Sequence, residues 1–399
     1  MAKVLPASLV PTNPRTDLSF ERGEGPYLHG SDGRRYLDFF CGIAVTGLGH
    51  AHPHLVETMR AYADRVWHIS NNYRIPEQER LAERLTALSF ADRAFFCSTG
   101  LEAAEGAIKL ARKAQHGEGR PDRTHIVTVE GAFHGRSLAA LAATNNEKYL
   151  EGFGPRVPGF RQVPFDDLGA LERALDEEAA AVMLEPVQGE GGVRPVPLDT
   201  LRRVRDLCDA NGVLLIFDEV QCGMGRTGRL FAHEWAGIAP DIMMLAKGLG
   251  GGFPIGAVLA TERVARHMTP GSHGSTFGGN PLATAMANAV LDVVTEPGFL
   301  EEADRIGRML RDRLEGFVAR HGDVVSEVRG AGLLLGLKCV PPAAACVDAV
   351  RETGMLTHTA GDNVLRLMPP LTIREQHVEE AIEHLEQAAS TLAERTDAA

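Results

Sequence analysis

A chain of 399 residues is longer than one ordinary domain, so one large domain and a smaller one are expected. Hydrophobic residues at 44% and charged residues at 24% give a globular balance with a sizeable core, and a net charge of -12 argues against nucleic acid as the main partner. Six cysteines without a C-x-x-C pair exclude a disulfide framework, and no run reaches the ~20 apolar residues of a membrane span. MAKVLPASLVPTNPR carries no long apolar run after its lysine, so the expectation is a cytoplasmic protein without a signal peptide or membrane contact.

Residues 1 to about 35 read as irregular, with Pro6, Pro11 and Pro14 breaking any helix. Residues 80 to 260 alternate apolar runs with amphipathic stretches. HIVTV (125–129), AVMLEPV (181–187), VLLIFDEV (213–220) and IGAVLAT (255–261) read as strands. LEAAEGAIKLARKA (101–114) and LDTLRRVRDLCDA (198–210) have helical spacing. Such alternation predicts a mainly parallel α/β sheet with helices on both faces. After about 295 a long helix (298–320), the segment SEVRGAGLLLGLKC and two further helical stretches around VLRLMPP predict a smaller α+β domain. The expected division is 1–50, an N-terminal segment contributing to the small domain and the active site; 51–295, the large cofactor-binding domain; and 296–399, the C-terminal small domain.

Ligands of parallel α/β sheets bind beyond the carboxyl ends of the strands, which directs attention to three loops. Asp218 and Glu219 end an apolar strand, where a carboxylate is costly to bury without a partner. Lys247 follows an apolar run and precedes Gly248, Gly250, Gly251 and Gly252, so poor hydration would pull its pKa down and make it a usable amine nucleophile. Thr99 with Glu102 fits a capping box, and Gly100 and Leu101 then offer helix-start amides able to hold a phosphate. Taken singly, a salt bridge, a surface lysine and a plain helix cap explain these features. Together they suit pyridoxal 5′-phosphate, which needs a phosphate cradle, an acid under its pyridine nitrogen and a lysine that holds it covalently. His50, His52 and His54 in GHAHPH raise a zinc alternative, weakened by Pro53 and the lack of a nearby carboxylate or cysteine, so no metal is expected.

The blocks FERGEG, YLDFFCGIAVTGLGHAHP, GAFHGRSL, EPVQGEGGV, FDEVQCGMGRTG, AKGLGGGFPIGA, HGSTFGGNPLA, RGAGLLLGL and NVLRLMPPL, in this order, resemble the class III aminotransferases of the acetylornithine aminotransferase type. The resemblance implies a fold-type I transferase: a large domain with a mainly parallel seven-stranded sheet flanked by helices, plus the smaller α+β C-terminal domain. It implies that Phe133 stacks on the cofactor ring, that Asp218 pairs with its ring nitrogen, and that Gln221 lies near its phenolic oxygen. Glu219 and Val220 of the same loop should adjoin it, and Lys247 should bind it. Thr276 should reach the phosphate from a neighbouring subunit of a homodimer with shared active sites. Arg136, Glu190, Ser275 and Arg366 should contact substrate, with Glu190 pairing with Arg366 in one half-reaction and releasing it in the other. The implied reaction moves the ω-amino group of N-acetylornithine to 2-oxoglutarate, giving glutamate. 4-Aminobutyrate, ornithine and succinyl-diaminopimelate are the alternative donors. Two positions depart from the pattern: Leu101 in the phosphate loop, and Asn13 where many relatives carry a substrate-holding tyrosine.

Overall fold

The computed structural model describes residues 8–397. The expectations for the first seven residues, Pro6 among them, lie outside the described residues.

The central sheet has seven strands. Their spatial order is Arg93–Cys97, Gly256–Ala260, Ile242–Leu245, Leu214–Asp218, Ala179–Leu184, His125–Val129 and Phe160–Val163. Only Gly256–Ala260 runs against its neighbours. The inner strands are apolar on both faces because both faces are covered. Ile216, Met244 and Met183 pack with Ala103, Ala104, Ala107 and Ala111 of the helix Gly100–Gly117. The alternate residues Leu215, Phe217 and Val182 pack with Leu201, Val204 and Leu207 of the helix Leu198–Asn211. Gly212, at φ 62°, ends that second helix in the left-handed conformation and lets the chain return directly to Leu214–Asp218. Truncating the fully buried Phe217 to alanine should cost about 3–5 kcal/mol, because the site cannot easily collapse.

A helix that had no place in the sequence reading, Pro281–Val294, has 13 buried residues out of 14. It is buried nearly all round and mostly apolar, apart from Thr284, Asn288 and Asp292, and it forms the packing centre for the helices Pro53–Tyr62 and Pro76–Ala87.

The second layer is smaller. Val325–Ala331, Leu334–Cys339, Val364–Leu367 and His358–Ala360 form an antiparallel sheet, packed with the helices Phe299–Arg320, Ala343–Thr353 and Glu375–Asp397. The expected irregular stretch to about 35 is overturned from residue 20 onward. Phe20–Glu24, Tyr27–Gly30 and Arg35–Asp38 form antiparallel strands, and Met355–Leu356 joins them in parallel. Phe20–Glu24 is almost wholly exposed, so no apolar alternation marks it; pairing with its neighbour makes it a strand. AVMLEPV also divides: the strand stops at Leu184, and after Glu185 and Pro186 the two-residue strand Val187–Gln188 pairs with Arg194–Pro195. Among the described residues no helix is long and apolar enough to cross a membrane.

Candidate active site

The parallel strands all point their carboxyl ends at one edge of the sheet, and a cavity of about 340 Å³ opens there. That is within the size class of small-molecule sites. Asp218 closes Leu214–Asp218 and lies at the cavity, 4% exposed. One of its oxygens accepts the Val220 N–H at 3.0 Å, and the other meets His134 Nδ1 at 2.7 Å. Burial alone opposes a charged imidazole, but the hydrogen bond and charge of Asp218, with Glu185 beyond, hold the His134 pKa above its ordinary value.

Glu185 extends the adjacent strand Ala179–Leu184 and is also 4% exposed. Its two oxygens accept the Phe133 N–H at 2.9 Å and the Gly189 N–H at 3.1 Å. Burial, reinforced by the Asp218 charge, pushes its pKa up to about 7. Neither His134 nor Glu185 was singled out from the sequence. AVMLE carries the same signal as LLIFD, an acid ending an apolar run, and would have exposed Glu185.

Lys247 follows the fully buried Ile242–Leu245. Its backbone is at φ 43°, a left-handed conformation that a side chain with a Cβ rarely adopts. Burial is the largest influence on its amine and lowers the pKa to about 8; Glu190, Asp218 and Glu185 oppose that shift, and Arg366 adds to it. A lysine so placed has an appreciable neutral fraction near pH 7, unlike one at the usual ~10.4.

The helix Gly100–Gly117 starts at the wall of the same cavity, and the leading amides of such a helix start are suited to hold an anion. A Cβ on Gly100 would sit 2.9 Å from Val220 Cγ1 and crowd that cradle. The expected capping box needs correcting. Thr99 Oγ1 accepts the Glu102 N–H at 3.2 Å, but the Glu102 carboxylate accepts from the amide of Ser98, one residue earlier than a capping box requires. Phe133 and Val220 also line the cavity. A helix-start anion site, an aromatic wall, a buried carboxylate and a partly neutral amine together fit the expected cofactor.

Two arginines belong to this region. Arg366, in the middle of Val364–Leu367, is fully buried, and its Nη1 donates to Glu190 at 2.7 Å and to Gln221 at 2.9 Å. Its Nε and Nη2 are buried without a partner among the described residues. Burial raises the Glu190 pKa, but the Arg366 charge and hydrogen bond outweigh it, so Glu190 titrates below the usual carboxylate range. Gly189 makes room for the arrangement: a Cβ there would lie 1.9 Å from Gln221 Oε1. Arg136 is exposed, and its guanidinium lies over the Tyr149 ring at 3.8 Å and the Phe133 ring at 5.3 Å.

Other expected residues lie elsewhere. Glu219, expected at the cofactor, turns its side chain away and accepts from the amides of Ala232 and His233 and from His233 Nδ1. Neighbours along an extended chain point to opposite sides, so Asp218 and Glu219 cannot both face the cavity. Ser275 donates to Glu102 at 3.0 Å, and Thr276 is exposed on a separate cleft with His68, Ser70 and Asn71. Within one chain, neither lines the cavity at Lys247. His50 bonds to Asp38 and His54 to Asp292, so these two histidines of GHAHPH turn to different partners.

Comparison with known proteins agrees with this geometry. Residues 10–389 match the model of the family described as aminotransferase class-III. The chain is 55% identical over 384 residues to the acetylornithine aminotransferase of Brucella melitensis biotype 1, covering 96% of this chain and 95% of that one. The structure of N-acetylornithine aminotransferase from Stenotrophomonas maltophilia K279a superposes with a TM-score of 0.84 at 40% identity, covering 96% of this chain and 98% of that one. An ornithine aminotransferase from Toxoplasma gondii, described with pyridoxal phosphate partially occupying its active site, gives a TM-score of 0.93 at 32% identity, covering 98% and 94%.

Proposed function

Because the chain belongs to the class-III aminotransferase family, we propose that it moves the ω-amino group of N2-acetyl-L-ornithine to 2-oxoglutarate, giving N-acetyl-L-glutamate 5-semialdehyde and L-glutamate, a step of arginine biosynthesis. The observation that carries this reading is a fully buried arginine behind the wall of the Lys247 cavity: Arg366 pairs with the partly exposed Glu190 at 2.7 Å and bonds at 2.9 Å to Gln221, which lines that cavity. One site must receive two substrates in turn. Beside its reacting amine acetylornithine has an uncharged methylene chain, and glutamate has a carboxylate there. A bare buried arginine would suit only the second. Glu190 neutralises Arg366 while acetylornithine reacts and swings aside for the α-carboxylate of glutamate. Arg136 holds the distal carboxylate of both.

Pyridoxal 5′-phosphate is the family's cofactor, and when bound it supplies an electron sink that eases breaking a C–H bond beside nitrogen. The amides of Gly100 and Leu101 would hold its phosphate and Phe133 and Val220 its ring. Asp218, fixed by His134 and the Val220 amide, would keep its ring nitrogen protonated, with Gln221 near its phenolic oxygen. Lys247 would bind it, and its Nζ, once displaced by the incoming donor amine, would take the proton from the donor carbon that carries nitrogen. An amine titrating near 8 can both accept and return that proton at neutral pH.

Ser275 and Thr276 would complete the site of a second copy of the chain, which makes the working unit a homodimer. In support, Val66, Trp67, Tyr73 and Phe277 are each about 60% or more exposed, and the His68 ring touches that of Phe277. Glu219 would act through its backbone alone. The division at 1–50, 51–295 and 296–399 and a cytoplasmic location belong to the same proposal. A donor panel tests the function: acetylornithine should give the highest kcat/KM with 2-oxoglutarate, and a tenfold preference for ornithine, 4-aminobutyrate or succinyl-diaminopimelate would overturn it.

A further inference from the structure

Arg136 lies beside Phe133 of the cavity wall, in an unusual setting for a guanidinium. It is exposed, and among the described residues no hydrogen bond or ion pair holds it. It rests on two aromatic faces, Tyr149 at 3.8 Å and Phe133 at 5.3 Å from the ring centroids. Those rings stand nearly perpendicular, at 85° with centroids 6.4 Å apart, so they form a corner that fixes the guanidinium from two directions. Tyr149 itself is anchored. It lies on the one-turn helix Glu147–Leu150, whose first turn is capped by Asn146 accepting the Lys148 N–H at 3.1 Å. Leu150 is buried, and Arg156 ties that turn to Asn145 and Glu147.

We propose that Tyr149 is the positioning residue for Arg136: its ring face holds the guanidinium so that the donor edge stays free for a substrate carboxylate. The chemistry distinguishes this from the usual way of fixing an arginine. An acid beside Arg136 would occupy its N–H donors and compete with the incoming carboxylate. A π face attracts the cation without using a donor, and leaves the planar edge open for two parallel hydrogen bonds. The ring is what makes the contact: among the described residues Tyr149 meets Arg136 and Phe133 through its face and edge. The ligand class is a carboxylate carried at the end of the substrate distant from the reacting amine. The inference rests on the assignment of Arg136 given above.

The test compares Tyr149→Leu, which removes the π face at similar bulk, with Tyr149→Phe, which keeps it, and uses Arg136→Gln as reference. Glutarate, a dicarboxylate that cannot react, is titrated into each cofactor-loaded enzyme by calorimetry, and KM and kcat are measured with acetylornithine and 2-oxoglutarate. Tyr149→Leu should weaken glutarate binding and raise both KM values by about 3- to 30-fold, the range of a cation–π contact between exposed and desolvated settings, with kcat within about twofold. Tyr149→Phe should stay within about twofold throughout. Unchanged glutarate affinity in Tyr149→Leu, where Arg136→Gln weakens it, would overturn the role of Tyr149, as would equal losses in the Leu and Phe variants. Unchanged affinity in Arg136→Gln would instead overturn the assignment of Arg136 itself.

Discussion

Arg136 and Arg366 are two cations that each touch a residue of the cavity wall, Phe133 and Gln221, and they are kept in opposite ways. Arg136 is exposed, braced by the rings of Tyr149 and Phe133, with its hydrogen-bonding edge open. Arg366 is sealed in a strand, with one nitrogen engaged by Glu190 and Gln221 and two others buried without partners among the described residues. Water solvates the first whenever no carboxylate is present, so it needs no counter-ion. The second is buried away from water and needs an acid beside it. What surrounds a charge thus decides whether its binding site is offered constantly or conditionally.

Changes at the shared centre should not discriminate between the two arginines. Lys247→Ala should abolish turnover in both half-reactions while leaving a folded protein; circular dichroism with single-turnover absorbance checks it, and near-normal rates would remove Lys247 from the chemistry. Asp218→Asn should retain cofactor but lose at least ~10²-fold in rate, again equally in both halves, because an amide cannot stabilise a charged ring nitrogen. A loss of only a few-fold would make Asp218 a structural partner of His134.

Changes at the arginines themselves should separate the halves. Arg366→Ala should slow the glutamate half-reaction most. Glu190→Ala should slow the acetylornithine half and spare or improve the glutamate half, shifting preference toward α-amino donors. Equal losses in both halves for both variants would reduce the pair to a fixed bridge. The smallest effect concerns pH. In the cofactor-free protein the Lys247 amine should react with an acylating reagent with a midpoint near the value of about 8 set by burial. Its pKa is lower in the folded chain than in the unfolded one. The unfolded state therefore binds more protons between about pH 8 and the usual lysine value near 10.4, and this residue's contribution to stability should rise with pH across that window. A midpoint above 10 would mean that the amine is well solvated.

Lys247 and Asp218 were legible because each is a charged group ending an apolar run, a placement that always needs an explanation. Glu185 carried the same mark and was passed over inside a longer block. Glu219 stands beside Asp218 in sequence, but neighbouring side chains of an extended backbone point apart, and its carboxylate turns to Ala232 and His233. The strand core was readable from apolar runs, but Phe20–Glu24 was not, since an exposed edge strand owes its form to its partner. Tyr149 had no signal at all. Its meeting with Arg136 depends on how a one-turn helix packs against an aperiodic loop, and no periodicity records that.

The three N-terminal strands have a consequence in time. Arg35–Asp38 pairs with Met355–Leu356, and Tyr27 donates to Glu380 at 2.6 Å, a contact 353 positions apart along the chain. At roughly 5–20 residues per second, the first strands to leave the ribosome wait tens of seconds for the partners that complete their sheet. Until then they present unpaired edges to whatever else is nearby. The large sheet, whose last strand ends at Ala260, can assemble meanwhile. Birth order therefore makes the earliest segment of the described chain among the last to be secured, and leaves it the stretch most dependent on protection while the protein is being made.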